Sequence, residues 1–180
     1  MNLSIPFDRQ TALSLRAGDV LLLSGVCYTA RDAAHARLLE EYAATGAFPF
    51  PMEDAVIYYA GPAPARPGRP IGSVGPTTSY RMDSFAPRLM ELGLRAMIGK
   101  GKRSPEVKAA MERFGAVYLG ATGGAGALLA QRVEAARLVA YPDLGAEAIY
   151  RLTVRDFPVI VVGDAHGGDL YETGRAVYRR

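Results

Sequence analysis

Gly75-Pro76-Thr77-Thr78-Ser79-Tyr80-Arg81-Met82-Asp83 is the stretch on which the reading of this chain turns. Threonine and serine hydroxyls and one guanidinium crowd the start of a predicted helix. Pro76 biases Gly75 away from the α region, so the chain arrives extended. Behind it, Met82, Phe85, Ala86, Leu89 and Leu92 recur at helical spacing, and Gly93 suits the residue after the last turn. With Thr78 or Ser79 as N-cap, Arg81 falls in the first turn, where the positive end of the helix disfavours a cation. A local rule broken without local gain points to function. Free N–H groups, hydroxyls and a fork-shaped guanidinium together suit a carboxylate or phosphate. The plainer alternative is a capped surface helix whose arginine bends back to solvent.

Outward from this stretch, strands and helices alternate. Ser4 to Leu15 reads as a weak edge strand and Val20 to Val26 as a buried strand. Thr29-Ala30-Arg31-Asp32 opens a helix, with Thr29 and Asp32 at N-cap and N3 spacing. Here too an arginine, Arg31, sits in a first turn beside a threonine. Ala55 to Ala60 is a strand, and Gly61 to Pro70, rich in proline, is a loop. Leu94 to Gly99 is a strand ending at Lys100. Pro105 to Phe114 is a helix with Ser104 as cap and proline in its first turn. Strands are expected at Ala116–Leu119, Ala135–Tyr141, Ala148–Val154 and Val159–Val162, with a turn at Asp156-Phe157-Pro158 and a last short strand at Leu170–Tyr171. The alternation predicts an α/β fold. The prolines and the clustered late strands argue against a regular doubly wound sheet.

With 180 residues, a single domain spanning 1–180 with a substantial core is expected. Lys plus Arg, 21, against Asp plus Glu, 18, leaves +3, dispersed and too little to argue for nucleic acid. The one cysteine, Cys27, allows no intrachain disulfide. MNLSIPFDRQ has no apolar signal core, and no apolar run is long enough for a membrane, so a cytoplasmic protein is expected.

Nucleotide motifs fail on spacing. Gly124-Ala125-Gly126 needs a small residue at 129, where Leu129 stands; Gly99-Lys100-Gly101 lacks the hydroxyl residue after lysine and has Leu94 where the first glycine belongs. His35, one turn after Arg31, reads as packed or capping. His166 with Asp164 and Asp169 could ligate a metal, but such a loop is more often only a loop. A lone cysteine is usually a small buried hydrophobe and cannot hold an iron–sulfur cluster. Arg31, Thr77, Thr78, Arg81 and Lys100 remain. Three cations and two hydroxyls suit a small dianion such as a dicarboxylate. With no acid or base standing out, a complete active site needs another chain.

Thr29-Ala30-Arg31-Asp32-Ala33-Ala34-His35, Tyr58-Tyr59-Ala60-Gly61-Pro62, Gly75-Pro76-Thr77-Thr78 with Arg81-Met82-Asp83, and Met97-Ile98-Gly99-Lys100-Gly101 follow one another in this order. In this the chain resembles the β subunit of class I fumarases and L-tartrate dehydratases, equivalent to the C-terminal domain of the fused enzymes. The resemblance implies a swivelling β/β/α domain and an iron–sulfur hydro-lyase, most simply interconverting fumarate and (S)-malate. It implies that the fumarase-type α subunit carries a [4Fe–4S] cluster whose open iron binds substrate, with no metal ligand on this chain. A homo-oligomer or a heterotetramer with the α subunit is then expected, and an isolated chain without activity. By resemblance, Arg31, Thr77, Thr78, Arg81 and Lys100 bind the dicarboxylate, and Thr77 and Lys100 are catalytic, Thr77 as base paired with an acidic residue of the other subunit. L-Tartrate dehydratase is the alternative within the class. A non-catalytic anion-binding or partner-stabilising subunit is the alternative outside it, against which the retention of every cationic position speaks.

Overall fold

A computed structural model describes residues 1–179. In chain order the elements are β1 (Asn2–Ile5), α1 (Arg9–Ser14), β2 (Val20–Thr29), α2 (Asp32–Thr45), β3 (Val56–Tyr58), a 3₁₀ turn (Ser79–Met82), α3 (Ala86–Glu91), β4 (Ala96–Gly99), α4 (Pro105–Phe114), β5 (Val117–Gly120), α5 (Gly126–Ala130), β6 (Val133–Ala140), a second 3₁₀ segment (Pro142–Glu147), β7 (Ile149–Gly163) and α6 (Leu170–Tyr178). The strands lie in the order β1-β2-β3-β4-β5-β7-β6, and β2 also pairs with β7. β1 to β5 run parallel, and β7 is antiparallel to β2, β5 and β6. The β2–β7 pairing closes β2, β3, β4, β5 and β7 into a small barrel.

Alternation along each strand divides the core in two. Leu21, Leu23, Val56, Tyr58, Ala96, Ile98, Val117, Leu119 and Phe157 pack together inside the barrel, with Cys27 among them. Ile57, Tyr59, Met97 and Tyr118 point the other way, under Ala34 and Leu38 of α2, Leu89 of α3 and Val107 of α4. Strands buried on both faces read as continuous apolar runs, which is why these were recognisable. Among the described residues no helix is long and apolar enough to cross a membrane.

Several local expectations give way to tertiary context. Only Asn2–Ile5 of the first segment is strand; Asp8 then caps α1, its carboxylate accepting from Thr11 N–H at 2.8 Å. Asp156-Phe157-Pro158 is no reversal: β7 runs through it, with Asp156 in a left-handed conformation and a register shift opposite, between Leu23 and Gly25. This is a bulge, one of the few places a sheet admits proline. The expected strand at Leu170–Tyr171 is the start of α6, whose N-cap Asp169 accepts from Tyr171 N–H at 2.8 Å. The helix expected behind Ser79 is broken in two. Pro87 has no N–H to offer the carbonyl of Asp83, so a 3₁₀ turn ends there and α3 begins afresh.

Candidate functional site

Arg31, Thr77, Thr78, Arg81 and Lys100 all sit just beyond the C-terminal ends of parallel strands, where α/β sheets place their sites. β2 stays paired with β3 up to Thr29 and Tyr58, which delays the start of α2. Thr29 is therefore not the helix cap; its buried hydroxyl accepts from Tyr150 N–H at 3.0 Å and ties β2 to β7. Arg31 is the N-cap, in extended conformation, and Asp32 is the first residue of the helix. A carboxylate there is favourable beside the helix's positive end.

The Arg31 carbonyl accepts both the His35 N–H, at 2.9 Å, and His35 Nδ1, at 2.8 Å. A carbonyl can only accept, so Nδ1 carries the proton. His35 is fully buried, and burial pushes its pKa down to about 4. The Arg31 side chain crosses Gly61, where a Cβ would stand 3.3 Å from its Cδ. Its Nη2 lies 3.1 Å from Glu147 Oε1, and the other oxygen of Glu147 accepts from Ala33 N–H at 3.3 Å.

Arg81 lies in the last turn of the short 3₁₀ segment rather than opening a long helix, so its charge breaks no helix-dipole rule. Its Nη2 donates to Asp32 Oδ2 at 2.6 Å, while Arg31 Nε lies 3.9 Å from Asp32 Oδ1. Asp32 thus stands between the two arginines and brings them to one place. Among the described residues, the third cation, Lys100, has no ion-pair partner. Its stem lies over Gly123, where a Cβ would be 3.6 Å from Cδ. Two carboxylates against three cations leave the cluster with about one net positive charge, less than the dianion site that its cations alone suggest.

The Gly75–Asp83 stretch is laid along the strand ends by its backbone. Thr77 N–H donates to Tyr59 C=O at 2.7 Å, Thr78 bridges to Lys100, and Ser79 N–H donates to Lys100 C=O at 2.9 Å. Both threonine side chains are half-buried. The glycine-rich Gly120–Gly126 has its explanation here too. A Cβ on Gly126 would fall 2.9 Å from Gly75 N, so the loop after β5 packs directly on the Gly-Pro-Thr-Thr backbone.

Residue patterns alone missed four of the groups that hold this region. Asp32 and Glu147 pair with the arginines. Asp83 accepts from Arg103 Nε at 2.7 Å and from Ser104 N–H at 2.7 Å. Arg103 resembles part of a surface basic run with Lys100 and Lys102. Instead it is buried, its guanidinium carbon 5.3 Å from the Tyr59 ring and 4.9 Å from the Tyr118 ring. Burial works against its charge, but Tyr59 and Asp83 outweigh that and keep it firmly protonated. The Arg-Met-Asp spacing was a signal for Asp83; nothing local marks Glu147.

Asp164 and His166 are structural: Asp164 accepts from Ala17, His166 and Gly168 N–H groups, and His166 Nε2 lies 2.9 Å from Leu13 C=O. Among the described residues no three His, Cys, Asp or Glu side chains are placed to hold a metal. Cys27 lies inside the barrel with its thiol pushed up to about 12 by burial. Its surroundings hold the thiol protonated, whereas a cluster takes several thiolates, so the residues of this chain do not fit an iron–sulfur group.

Comparison with known proteins covers most of the chain. It is 44% identical over 154 residues to "Fumarate hydratase class I, anaerobic" of Escherichia coli strain K12, covering 84% of this chain and 28% of that protein. "Fumarate hydratase 1, mitochondrial" of Leishmania major is 42% identical, with the same shares covered. The chain thus spans less than a third of the length of these relatives. "Putative L(+)-tartrate dehydratase subunit beta" of Methanocaldococcus jannaschii is 38% identical over 173 residues, covering 92% of this chain and 89% of that one. The family model described as "Fumarase C-terminus" matches residues 1–174, and the chain belongs to that family.

Proposed function

We propose that this chain is the β subunit of a hydro-lyase that interconverts fumarate and (S)-malate, acting with an α subunit that holds a [4Fe–4S] cluster. Family membership supports the reaction class. The observation that carries the dicarboxylate reading is the convergence of Arg31 and Arg81 on Asp32, with Lys100, which has no ion-pair partner among the described residues, at the end of β4. The arginines and Lys100 would hold the two carboxylates and stabilise the negative charge that builds up on one of them as the neighbouring carbon loses its proton. Thr77 is the candidate base. An ordinary hydroxyl is a very weak base, so this role needs the adjacent cations and a carboxylate of the partner. Among the described residues no group of side chains is placed to hold a metal, and the swivelling movement of a β/β/α domain would carry the half-site to the partner that supplies the rest.

The tartrate dehydratase relative supports a second reading: the similarity to that β subunit covers 92% of this chain and 89% of that one. Co-expression with a fumarase-type α subunit, followed by anaerobic assay on (S)-malate and on L-tartrate, separates the two. Turnover of malate supports the first reading and turnover of tartrate alone replaces it. Turnover of neither by an assembled, cluster-loaded complex would leave an anion-binding subunit.

A further inference from the structure

The residue after Lys100 is held at both of its backbone polar groups by tyrosine hydroxyls from two different elements. Gly101 N–H donates to Tyr171 Oη at 3.0 Å, and Gly101 C=O accepts from Tyr118 Oη at 2.9 Å. A carbonyl cannot donate, so the Tyr118 proton is spent on Gly101, and the 2.9 Å contact between Tyr118 Oη and Ser79 Oγ must have serine as donor. Ser79 in turn donates its N–H to Lys100 C=O. Gly101 is at φ +86, which glycine adopts without steric cost but about as readily as many other conformations, so its own preference does not fix the turn. The anchors are themselves anchored. Tyr118 lies in β5 and is buried. Tyr171 opens α6, whose cap Asp169 is paired with Lys108 of α4 at 2.5 Å.

We propose that Tyr171 and Tyr118 are positioning residues for Lys100. They fix the turn from which its ammonium leaves the sheet, and so couple the C-terminal helix to the dicarboxylate site. Neither tyrosine touches the ligand. The inference rests on the reading that Lys100 faces a dicarboxylate, and its test keeps the two apart.

The full chain is titrated with (S)-malate at low ionic strength by NMR, as native protein, Tyr171→Phe, Lys100→Met and the double variant. Exchange of the Gly101 amide proton and thermal unfolding are followed alongside. Tyr171→Phe is expected to speed Gly101 exchange and to weaken malate binding about three- to tenfold, the range of one lost hydrogen bond. In the Lys100→Met background it should change malate binding by less than about twofold, because the group being positioned is gone. Equal weakening in both backgrounds, or none in the native one, overturns the positioning role. So does a Gly101 amide that exchanges as fast in the native chain as in the variant. If Lys100→Met leaves malate binding untouched while Gly101 stays protected, the dicarboxylate reading fails rather than the tyrosine clamp, and the assigned role falls with it. Tyr118→Phe, which frees the Gly101 carbonyl instead, is the second variant should Tyr171→Phe not fold, and the same pattern is expected of it.

Discussion

At the scale of single residues, Glu147, which lies outside the quoted motifs, and His35, which ends one of them, both shape the site. Glu147 places a carboxylate 3.1 Å from Arg31 and against the N-terminus of α2, where an incoming carboxylate would compete with it. Glu147→Gln keeps an acceptor for Ala33 N–H and removes the charge. Malate should then bind the chain about two- to fivefold more tightly at low salt, as befits a half-exposed pair. Weaker binding, read by titration, would show that Glu147 orients Arg31 rather than competing for it. His35 makes a pH prediction. Its folded pKa, about 4, lies below the ordinary 6.5, so the native state favours the neutral ring. Its contribution is complete above pH 6.5 and is lost as pH falls towards 4, by up to roughly 3 kcal/mol. Urea unfolding of His35→Phe across this range should show a flatter dependence on pH. An unchanged slope would place the acid sensitivity elsewhere.

At the scale of elements, the join between β4 and the Gly75–Asp83 stretch is tight. A Cβ on Gly99 would stand 2.0 Å from Ser79 Oγ and 3.1 Å from the Tyr59 ring. Gly99→Ala should cost about 2–3 kcal/mol in urea denaturation, and Ser79→Ala in the same chain should recover part of it. A neutral Gly99→Ala would mean that this approach is looser than described. How well each element could be read follows the reach of its determinants. α4 was legible to the residue because its cap Ser104, first-turn Pro105 and terminal Gly115 are local signals. The β7 bulge was misread because Asp-Phe-Pro is a turn by local rules, and only its pairing with β2 extends it. The candidate site divides likewise. Its cations and threonines lie in compact motifs, while Glu147, which neutralises one of them, comes from a 3₁₀ segment far along the chain with no pattern of its own. Arg81 also drew attention for a reason the structure removes, since the helix it was to open is split in two.

At the scale of the whole molecule, the described residues offer cations and hydroxyls but no group placed to hold a metal, so the isolated protein is expected to show no hydratase turnover. Activity in the purified, cluster-free chain would remove the need for a partner. The same chain should bind malate weakly, and more weakly still between about 10 and 150 mM salt, as attraction by exposed charge is screened. Salt-independent binding would point to a site already closed to solvent. β7 has a consequence for how the molecule comes into being. Among the described residues it is the only strand bonded to β2, β5 and β6, and its partners Val20–Tyr28 are made long before Arg151–Ile160. The parallel strands β1 to β5 can therefore emerge from the ribosome in order, yet none of them can close the barrel. Until β7 follows, the outer edge of β2 is an open template for strands of other chains. Closure demands contacts between segments far apart in sequence, which makes folding slow and leaves its decisive step until β7 has been made.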